Sequence, residues 1–122
     1  MITQATQLKQ QRKYQEALQV DEQAQRLRPR DSRVYAGRAV TLEELGCEQE
    51  AMQAVEEAIK RANLPKDRQI LIGSHYLKAL LLEKERHYDE ALAALDNVFT
   101  HDLEHVPALQ ARARILSEQR SK

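Results

Sequence analysis

The 122-residue chain has few of the residues that interrupt or crosslink a fold. It contains one cysteine, three glycines, three prolines and no tryptophan, and only 4% of its residues are aromatic. The single cysteine, Cys47, excludes an internal disulfide and a cysteine-rich zinc site. Because Ala, Leu, Glu, Gln, Lys and Arg are abundant instead, the composition predicts an all-helical protein.

The sequence also lacks a long apolar run. No stretch approaches the ~18 to 20 residues that a membrane-spanning helix requires. The N-terminus has neither the basic flank nor the apolar run of a signal peptide. We therefore predict a cytoplasmic protein with no membrane insertion.

An excess of one charge is missing too. Nineteen Lys and Arg balance nineteen Asp and Glu, so the formal net charge is zero. Proteins that bind nucleic acids are usually basic, because neutralising phosphates supplies most of their affinity. The balance predicts no nucleic-acid partner.

A short pattern occurs three times, each time at the predicted start of a helix. It reads YQEAL at 14–18, EQEAM at 48–52 and YDEAL at 88–92, and its alanines, Ala17, Ala51 and Ala91, lie 34 and 40 residues apart. Other apolar residues keep fixed distances from these alanines: Ala5, Ala39 and Ala79 twelve before, Leu8, Leu42 and Leu82 nine before, and Ala24, Ala58 and Val98 seven after. Small residues at fixed places on two successive helices let their backbones approach closely, which predicts a tandem helical hairpin.

This arrangement resembles the tetratricopeptide repeat. The residues that carry the resemblance are Tyr35, Ala39, Leu42, Gly46, Ala51, Val55 and Ala58 in the second copy, Ala79, Leu82, Tyr88, Ala91, Leu95 and Val98 in the third, and Ala5, Leu8, Tyr14, Ala17, Ala24 and Pro29 in the first. A further first-helix pattern follows in Leu109, Ala113 and Leu116. The resemblance covers almost the whole chain.

The resemblance implies an all-α fold, an alpha-alpha superhelix in which antiparallel helix hairpins form a right-handed solenoid of about seven helices. The breaks between periodic segments predict helices at about 2–11, 14–28, 32–45, 48–62, 66–86, 88–101 and 107–120. We expect a single domain over 1–122. It comprises an N-terminally clipped repeat at 1–31, a second repeat at 32–65, an extended start at 66–71, a third repeat at 72–105 and a capping helix at 106–120.

Several positions depart from the family pattern. Asp21 occupies a position that is usually apolar, and His75 stands where the third repeat should have a bulky residue. Arg38, Lys78 and Arg112 replace a frequent leucine, and we interpret them as long side chains that extend past the helix pair.

No residue pattern indicates an enzyme or a cofactor. Cys47 lies beside Glu48 and Glu50, and carboxylates disfavour a reactive thiolate. The sequence contains no glycine-rich phosphate loop and no nucleophile elbow. We predict a non-enzymatic protein without catalytic residues or cofactors.

His101 and His105 have the i, i+4 spacing of a helical metal site. The alternative is a polar connection before the last helix, since Val106 and Pro107 would end any preceding helix. We favour the connection and predict no metal site.

The resemblance implies that the first helices of successive hairpins line a concave face that holds a peptide or a partner helix. By register, the predicted binding residues are Arg33, Gly37, Val40, Tyr76, Leu77, Leu80 and Arg114. The middle of this groove is small and apolar, and its margins are charged. It suits an apolar or amphipathic segment of a partner protein.

Family members that grip the acidic tails of chaperones do so with Lys, Asn and Arg side chains on the groove helices. The corresponding positions here are Ile2, Thr6, Gly37, Gly73 and Leu77. We therefore do not predict a chaperone-adaptor role.

A structural role is the alternative to a binding role. The predicted helix at 66–86 carries more apolar residues than one buried face needs. The chain would then be a scaffold, a homo-oligomer or a fragment of a longer solenoid of the same repeats.

Overall fold

The computed structural model describes residues 13–121, and all regular structure within them is α-helical. The helices are α1 (Tyr14–Leu27), α2 (Ser32–Glu44), α3 (Glu48–Arg61), α4 (Arg68–Lys84), α5 (Tyr88–His101) and α6 (Val106–Arg120). The all-α prediction is confirmed, and six of the seven predicted helices occur at their predicted places. The seventh, at 2–11, lies outside the described residues together with Ile2, Ala5, Thr6 and Leu8. None of the helices in residues 13–121 has the length and apolarity needed to span a membrane.

The turn that joins α2 to α3 is a Schellman motif. The Gly46 N–H donates to the Glu43 carbonyl at 3.0 Å, and the Cys47 N–H donates to the Leu42 carbonyl at 2.9 Å. Gly46 has a φ of 82°, in the left-handed region where glycine meets no Cβ penalty. This turn reverses the chain so that α3 returns along α2.

The core consists of two clusters joined through α4. A central cluster between α2, α3 and α4 contains Ala39, Leu42, Ala51, Ala54, Val55 and Leu81. A C-terminal cluster between α4, α5 and α6 contains Ile72, Ala79, Leu82, Ala91, Ala94, Leu95, Val98, Ala108, Ala111 and Ile115. Four of the repeated alanines, Ala39, Ala51, Ala79 and Ala91, are fully buried. They let the two helices of each hairpin touch, as the repeat predicts.

The helices form two layers. Each helix packs against the next one along the chain, and α4 also approaches both α2 and α6. Within residues 13–121, no Cα atom of α1, α3 or α5 lies within 8 Å of a Cα atom in another of these three helices. In a curved two-layer array the layer with the closer helices lies on the inside, so α2, α4 and α6 form the inner layer.

The departures from the family pattern have specific partners. Asp21 is buried in α1 and accepts a hydrogen bond of 2.7 Å from the Thr41 hydroxyl of α2. That bond accommodates a polar side chain where the family has an apolar one, because a buried carboxylate must be hydrogen-bonded.

Three long basic side chains of the inner layer each reach the preceding outer helix. Arg38 donates to the Gln25 side chain of α1 at 3.2 Å, and the Lys78 Nζ lies 2.8 Å from Glu56 of α3. The Arg112 guanidinium lies 5.9 Å from the ring centroid of Phe99 in α5. These side chains therefore join consecutive helices rather than only extending into solvent.

Candidate functional site

The inner helices carry all seven residues that the sequence predicts for partner binding. Arg33, Gly37 and Val40 lie on α2, Tyr76, Leu77 and Leu80 on α4, and Arg114 on α6. Val40 is 42% exposed, which is high for a branched apolar side chain on a helix. The structure therefore brings α2, α4 and α6 side by side in one layer; their role in binding stays a prediction.

The apolar residues of α4 are half-buried rather than free. Tyr76 and Leu80 pack against the C-terminal cluster, and Leu77 packs against the central cluster. Each side chain is thus held by the core on one side and remains partly accessible on the other. We call Val40, Tyr76, Leu77 and Leu80 the apolar strip.

His105, in the α5–α6 connection, contacts Tyr76 of the apolar strip. The rings of Tyr76 and His105 are tilted by 57°, with centroids 5.5 Å apart. The His105 Nδ1 accepts a hydrogen bond from the Ala108 N–H at 3.2 Å and so caps α6. The contact with Tyr76 is not apparent from the sequence, although a polar residue just before Val106 and Pro107 is typical of a helix N-cap.

One margin of the inner layer is closed by an ion pair between α4 and α6. Two Arg114 nitrogens donate to the two Glu83 carboxylate oxygens at 2.7 and 2.8 Å. The hydrogen bonds from Arg114 hold the pKa of Glu83 below its usual range and raise the pKa of Arg114. Arg114, predicted to contact a partner, is therefore already engaged within the chain.

A second ion pair joins α2 to α4 at the same margin. The Lys84 Nζ lies 2.9 Å from a Glu43 oxygen and 3.8 Å from Glu48. Its hydrogen bond to Glu43 raises the pKa of Lys84. This role of Lys84 is not apparent from the sequence, because it depends on a partner 41 residues away.

Arg33, at the other end of α2, pairs with the helix's own N-cap. Its Nη2 lies 2.7 Å from Asp31, and its backbone N–H donates to the same carboxylate at 3.0 Å. The side-chain hydrogen bond lowers the pKa of Asp31 and raises that of Arg33. Arg33, Glu43, Glu83 and Arg114, which lie beside the groove, are thus each paired within the protein. The apolar strip is the distinguishing surface of this face.

His101 and His105 do not share a helix. α5 ends at His101, α6 begins at Val106, and the Nδ1 of His105 is occupied by the α6 cap. Within the described part of the chain, no group of three or more His, Cys, Asp or Glu is arranged to hold a metal ion. Cys47 is a free, half-buried thiol at the start of α3.

No protein-family model and no curated protein matches the sequence. Solved structures do match. The TPR domain of Arabidopsis OM64 is 19% identical with a TM-score of 0.83, over 93% of this chain and 89% of that one. The TPR2B domain of yeast Sti1, in a complex with pHsp70, is 20% identical with a TM-score of 0.82, over 93% and 91% of the two chains.

A longer structure matches over part of its length. The TPR2AB domain of yeast Sti1, in a complex with pHSP90, is 23% identical with a TM-score of 0.73, over 94% of this chain and 42% of that one. At such identities the likeness establishes the fold and not the ligand. The chain therefore has the tetratricopeptide repeat (TPR) fold, as the residues at its repeated positions indicate.

Proposed function

We propose that this chain is a non-enzymatic protein-interaction module that binds a peptide or helix of a partner protein on its inner, concave face. The observation that carries the proposal is the apolar strip, where exposed Val40 lies on the same layer as half-buried Tyr76, Leu77 and Leu80. The fold supports it, since two of the similar structures are complexes, of yeast Sti1 domains with pHsp70 and pHSP90.

The chemistry of the strip favours an apolar or amphipathic partner segment. Arg33, Arg114 and Lys84 are each paired with a carboxylate of this chain, so none is a vacant cation for an acidic ligand. Burial of apolar surface is then the main favourable term, at about 25 cal/mol per Å². An amphipathic helix or an extended apolar peptide supplies such surface.

The same geometry argues against recognition of an acidic chaperone tail on this face. At the positions where tail-binding relatives have polar side chains, this chain has Gly37, Gly73 and Leu77. None of the three offers a side-chain donor to a carboxylate. The ligands of the Sti1 domains are therefore not carried over to this chain.

Selection from a random peptide display library tests the proposal, with recovered peptides measured by calorimetry. Val40→Glu places a charge on the apolar strip, and we expect it to weaken binding about tenfold or more, about 1.4 kcal/mol, with unchanged helical circular dichroism. Leu27→Glu is the matched control, because Leu27 is 66% exposed at the end of outer helix α1. Equal affinities for the wild type and Val40→Glu would refute the inner-face assignment.

A second candidate function is a scaffold, a homo-oligomer or a segment of a longer TPR solenoid, and one face of α6 favours it. The α2 residues Tyr35, Ala39 and Leu42 are buried beneath α3, whereas the matching α6 residues are Leu109, at 42% exposure, exposed Ala113 and half-buried Leu116. In the described residues no helix covers this α6 face.

Sedimentation velocity at micromolar concentration separates the two candidates. Self-association through the open α6 face predicts a dimer or larger species that Leu109→Glu returns to monomer. If the wild type is a monomer at these concentrations, the homo-oligomer hypothesis is ruled out. Peptide binding to the apolar strip is measured separately and does not depend on that result.

A further inference from the structure

The connections α1–α2 and α3–α4 meet at one edge of the solenoid and line a solvent-open cavity of about 470 Å³. Its charged lining consists of Arg28, Arg30, Arg33, Lys66, Asp31 and Asp67. Four cations and two anions give this lining a formal charge of +2. We call it the basic cavity.

The positive charge of the chain is concentrated at this edge. Residues 26–33 and 60–68 contain eight of the nineteen Lys and Arg but only two of the nineteen Asp and Glu. The chain as a whole is neutral, so the surplus here is a local feature. The equivalent connection between α5 and α6 contains Asp102 and Glu104 instead, which confines the positive surface to the first two connections.

The two carboxylates of the cavity already have partners. Asp31 is paired with Arg33 at 2.7 Å. Asp67 is 7% exposed and accepts a hydrogen bond of 2.9 Å from the Asn63 N–H. Both therefore serve the local structure, and neither is available to neutralise the remaining cations by direct contact.

Arg28, Arg30 and Lys66 are the remaining cations that line the cavity. All three are exposed, and none forms an ion pair with any residue between 13 and 121. Lys66 is close enough to lower the pKa of Asp31, after the hydrogen bonds and charge of Arg33, which places the two connections within electrostatic reach of each other. Three unpaired cations thus converge on one cavity from two segments of the chain.

We propose that the basic cavity binds clustered oxyanions of a peptide, supplied by a carboxylate-rich or a phosphorylated segment. Arginine presents a fork of N–H donors that matches carboxylate and phosphoryl oxygens, and Lys66 adds a compact charge. The cavity is open to solvent, so anionic side chains of a peptide can reach these donors.

A nucleic-acid backbone fits this surface less well. Such ligands require a basic stripe that follows successive phosphates, usually with aromatic side chains for stacking. Here no aromatic residue lines the cavity, and the next connection at this edge, between α5 and α6, is acidic. The favoured ligand is therefore a short anionic peptide segment.

Fluorescence anisotropy with two labelled probes tests the proposal: a peptide of five glutamates and a glycine–serine peptide with two phosphoserines. Its unphosphorylated form is the blank. We expect the triple variant Arg28→Gln, Arg30→Gln, Lys66→Gln to weaken binding about tenfold or more for the preferred probe. The control Arg86→Gln, Arg112→Gln, Arg120→Gln removes the same charge at exposed sites elsewhere and should change affinity less than ~2-fold.

The preferred probe identifies the source of the oxyanions, carboxylate or phosphoryl. Equal losses in the two triple variants would reveal general electrostatic attraction and overturn the proposal, as would the absence of saturable binding to both probes. Val40→Glu should retain anionic binding, since Val40 lies on the apolar strip. If Val40→Glu lost binding of the anionic peptide, the ligand would be assigned to the inner face, and the proposal that it binds in the basic cavity would be refuted.

Discussion

At the scale of single residues, the hydrogen bond between Thr41 and Asp21 joins α1 to α2. The Thr41 side chain is fully buried, and its hydroxyl donates to a carboxylate at 2.7 Å. Thr41→Val keeps the shape and removes the donor. Because hydrogen bonds to charged groups contribute about 1.5–3 kcal/mol, we expect the free energy of unfolding to fall by about that amount in urea titrations.

Thr100 provides the matched control. It is exposed on α5, and its hydroxyl donates to the Asp96 carbonyl one turn earlier, at 3.0 Å. Thr100→Val should change the free energy of unfolding by no more than ~0.5 kcal/mol. If Thr41→Val and Thr100→Val lowered the free energy of unfolding equally, the hydrogen bond to Asp21 would contribute no more than an exposed one.

His75 makes the stability of the domain depend on pH. Its Nδ1 is buried without a hydrogen-bond partner in the described residues. Burial, then the charges of Lys78 and His101, lowers its pKa below the ordinary 6.5. The unfolded chain therefore takes up the proton more readily, so the stability contributed by neutral His75 is complete above pH 6.5 and is lost as the pH falls through the window below it.

Urea midpoints measured from pH 7.5 down to pH 5 test this dependence. We expect the wild type to lose stability over that range and His75→Gln, which has no titrating ring, to lose less. His87→Gln is the control for the loss of a histidine elsewhere, since His87 is exposed in the α4–α5 turn, and its profile should be steeper than that of His75→Gln. A profile for His75→Gln as steep as that of the wild type would assign the loss to other groups.

At the scale of elements, two glycines have opposite roles. Gly46 adopts φ 82° in the α2–α3 turn. Gly73 lies inside α4, and apart from its chain neighbours and the helix's own backbone no atom lies within 4 Å of a Cβ built on it. Gly46→Ala should destabilise the fold by about 1 kcal/mol, because an L-residue is strained in the left-handed region. Gly73→Ala should stabilise it by about 0.5–1 kcal/mol through helix propensity.

Thermal unfolding followed by circular dichroism distinguishes the two substitutions. Opposite shifts of the melting temperature are expected, and shifts of the same sign would contradict this assignment of roles. The turn after α4 gives an internal comparison. Arg86 adopts φ 61° there, and the N–H groups of Arg86 and His87 donate the same pair of hydrogen bonds as those of Gly46 and Cys47.

The helices and their buried alanines could be predicted from the sequence because both follow from local rules. Periodicity marks the helix faces, and small residues at fixed spacing mark close contacts such as those of Ala51 and Ala91. The pairing of Arg114 with Glu83 could not be predicted. It joins residues 31 positions apart, and the same exposed arginine would fit a partner's carboxylate equally well.

The basic cavity was missed for a related reason. The sequence has a neutral total charge, and that total conceals a local surplus formed when two distant connections meet. Arg28 and Lys66 are 38 positions apart in the chain, and only the folded repeat brings them to one edge. The net charge of each helix–helix connection, unlike the net charge of the whole chain, indicates the basic cavity.

At the scale of the whole molecule, each described helix is stabilised by contacts with the helices nearest to it in the array. α6 contacts α5 and α4 but no earlier helix among those described, and Ile115 is its fully buried anchor in the C-terminal cluster. Ile115→Ala should cost about 2–5 kcal/mol in that cluster. Because repeat arrays are stabilised by nearest-neighbour interfaces, we expect the effect to fade towards α1.

Amide hydrogen exchange resolves this gradient. In Ile115→Ala, amides of α6 and α5 should exchange faster by the largest factors, and those of α1 and α2 by the smallest. Leu103→Ala is the control, since Leu103 is 79% exposed in the α5–α6 connection and should leave the pattern unchanged. Uniform acceleration along the chain would show that the domain unfolds as one cooperative unit instead.

The two ion pairs of the inner layer have a mechanical consequence. Lys84–Glu43 and Arg114–Glu83 link inner helices across consecutive repeats, whereas the outer helices in residues 13–121 have no comparable close approach. The solenoid is thus crosslinked along its inner layer, and its outer helices are free to move apart or together when it bends. Because the Glu83 and Glu43 side chains are only 13% and 25% exposed, we expect salt to weaken these two links less than it weakens fully exposed ion pairs.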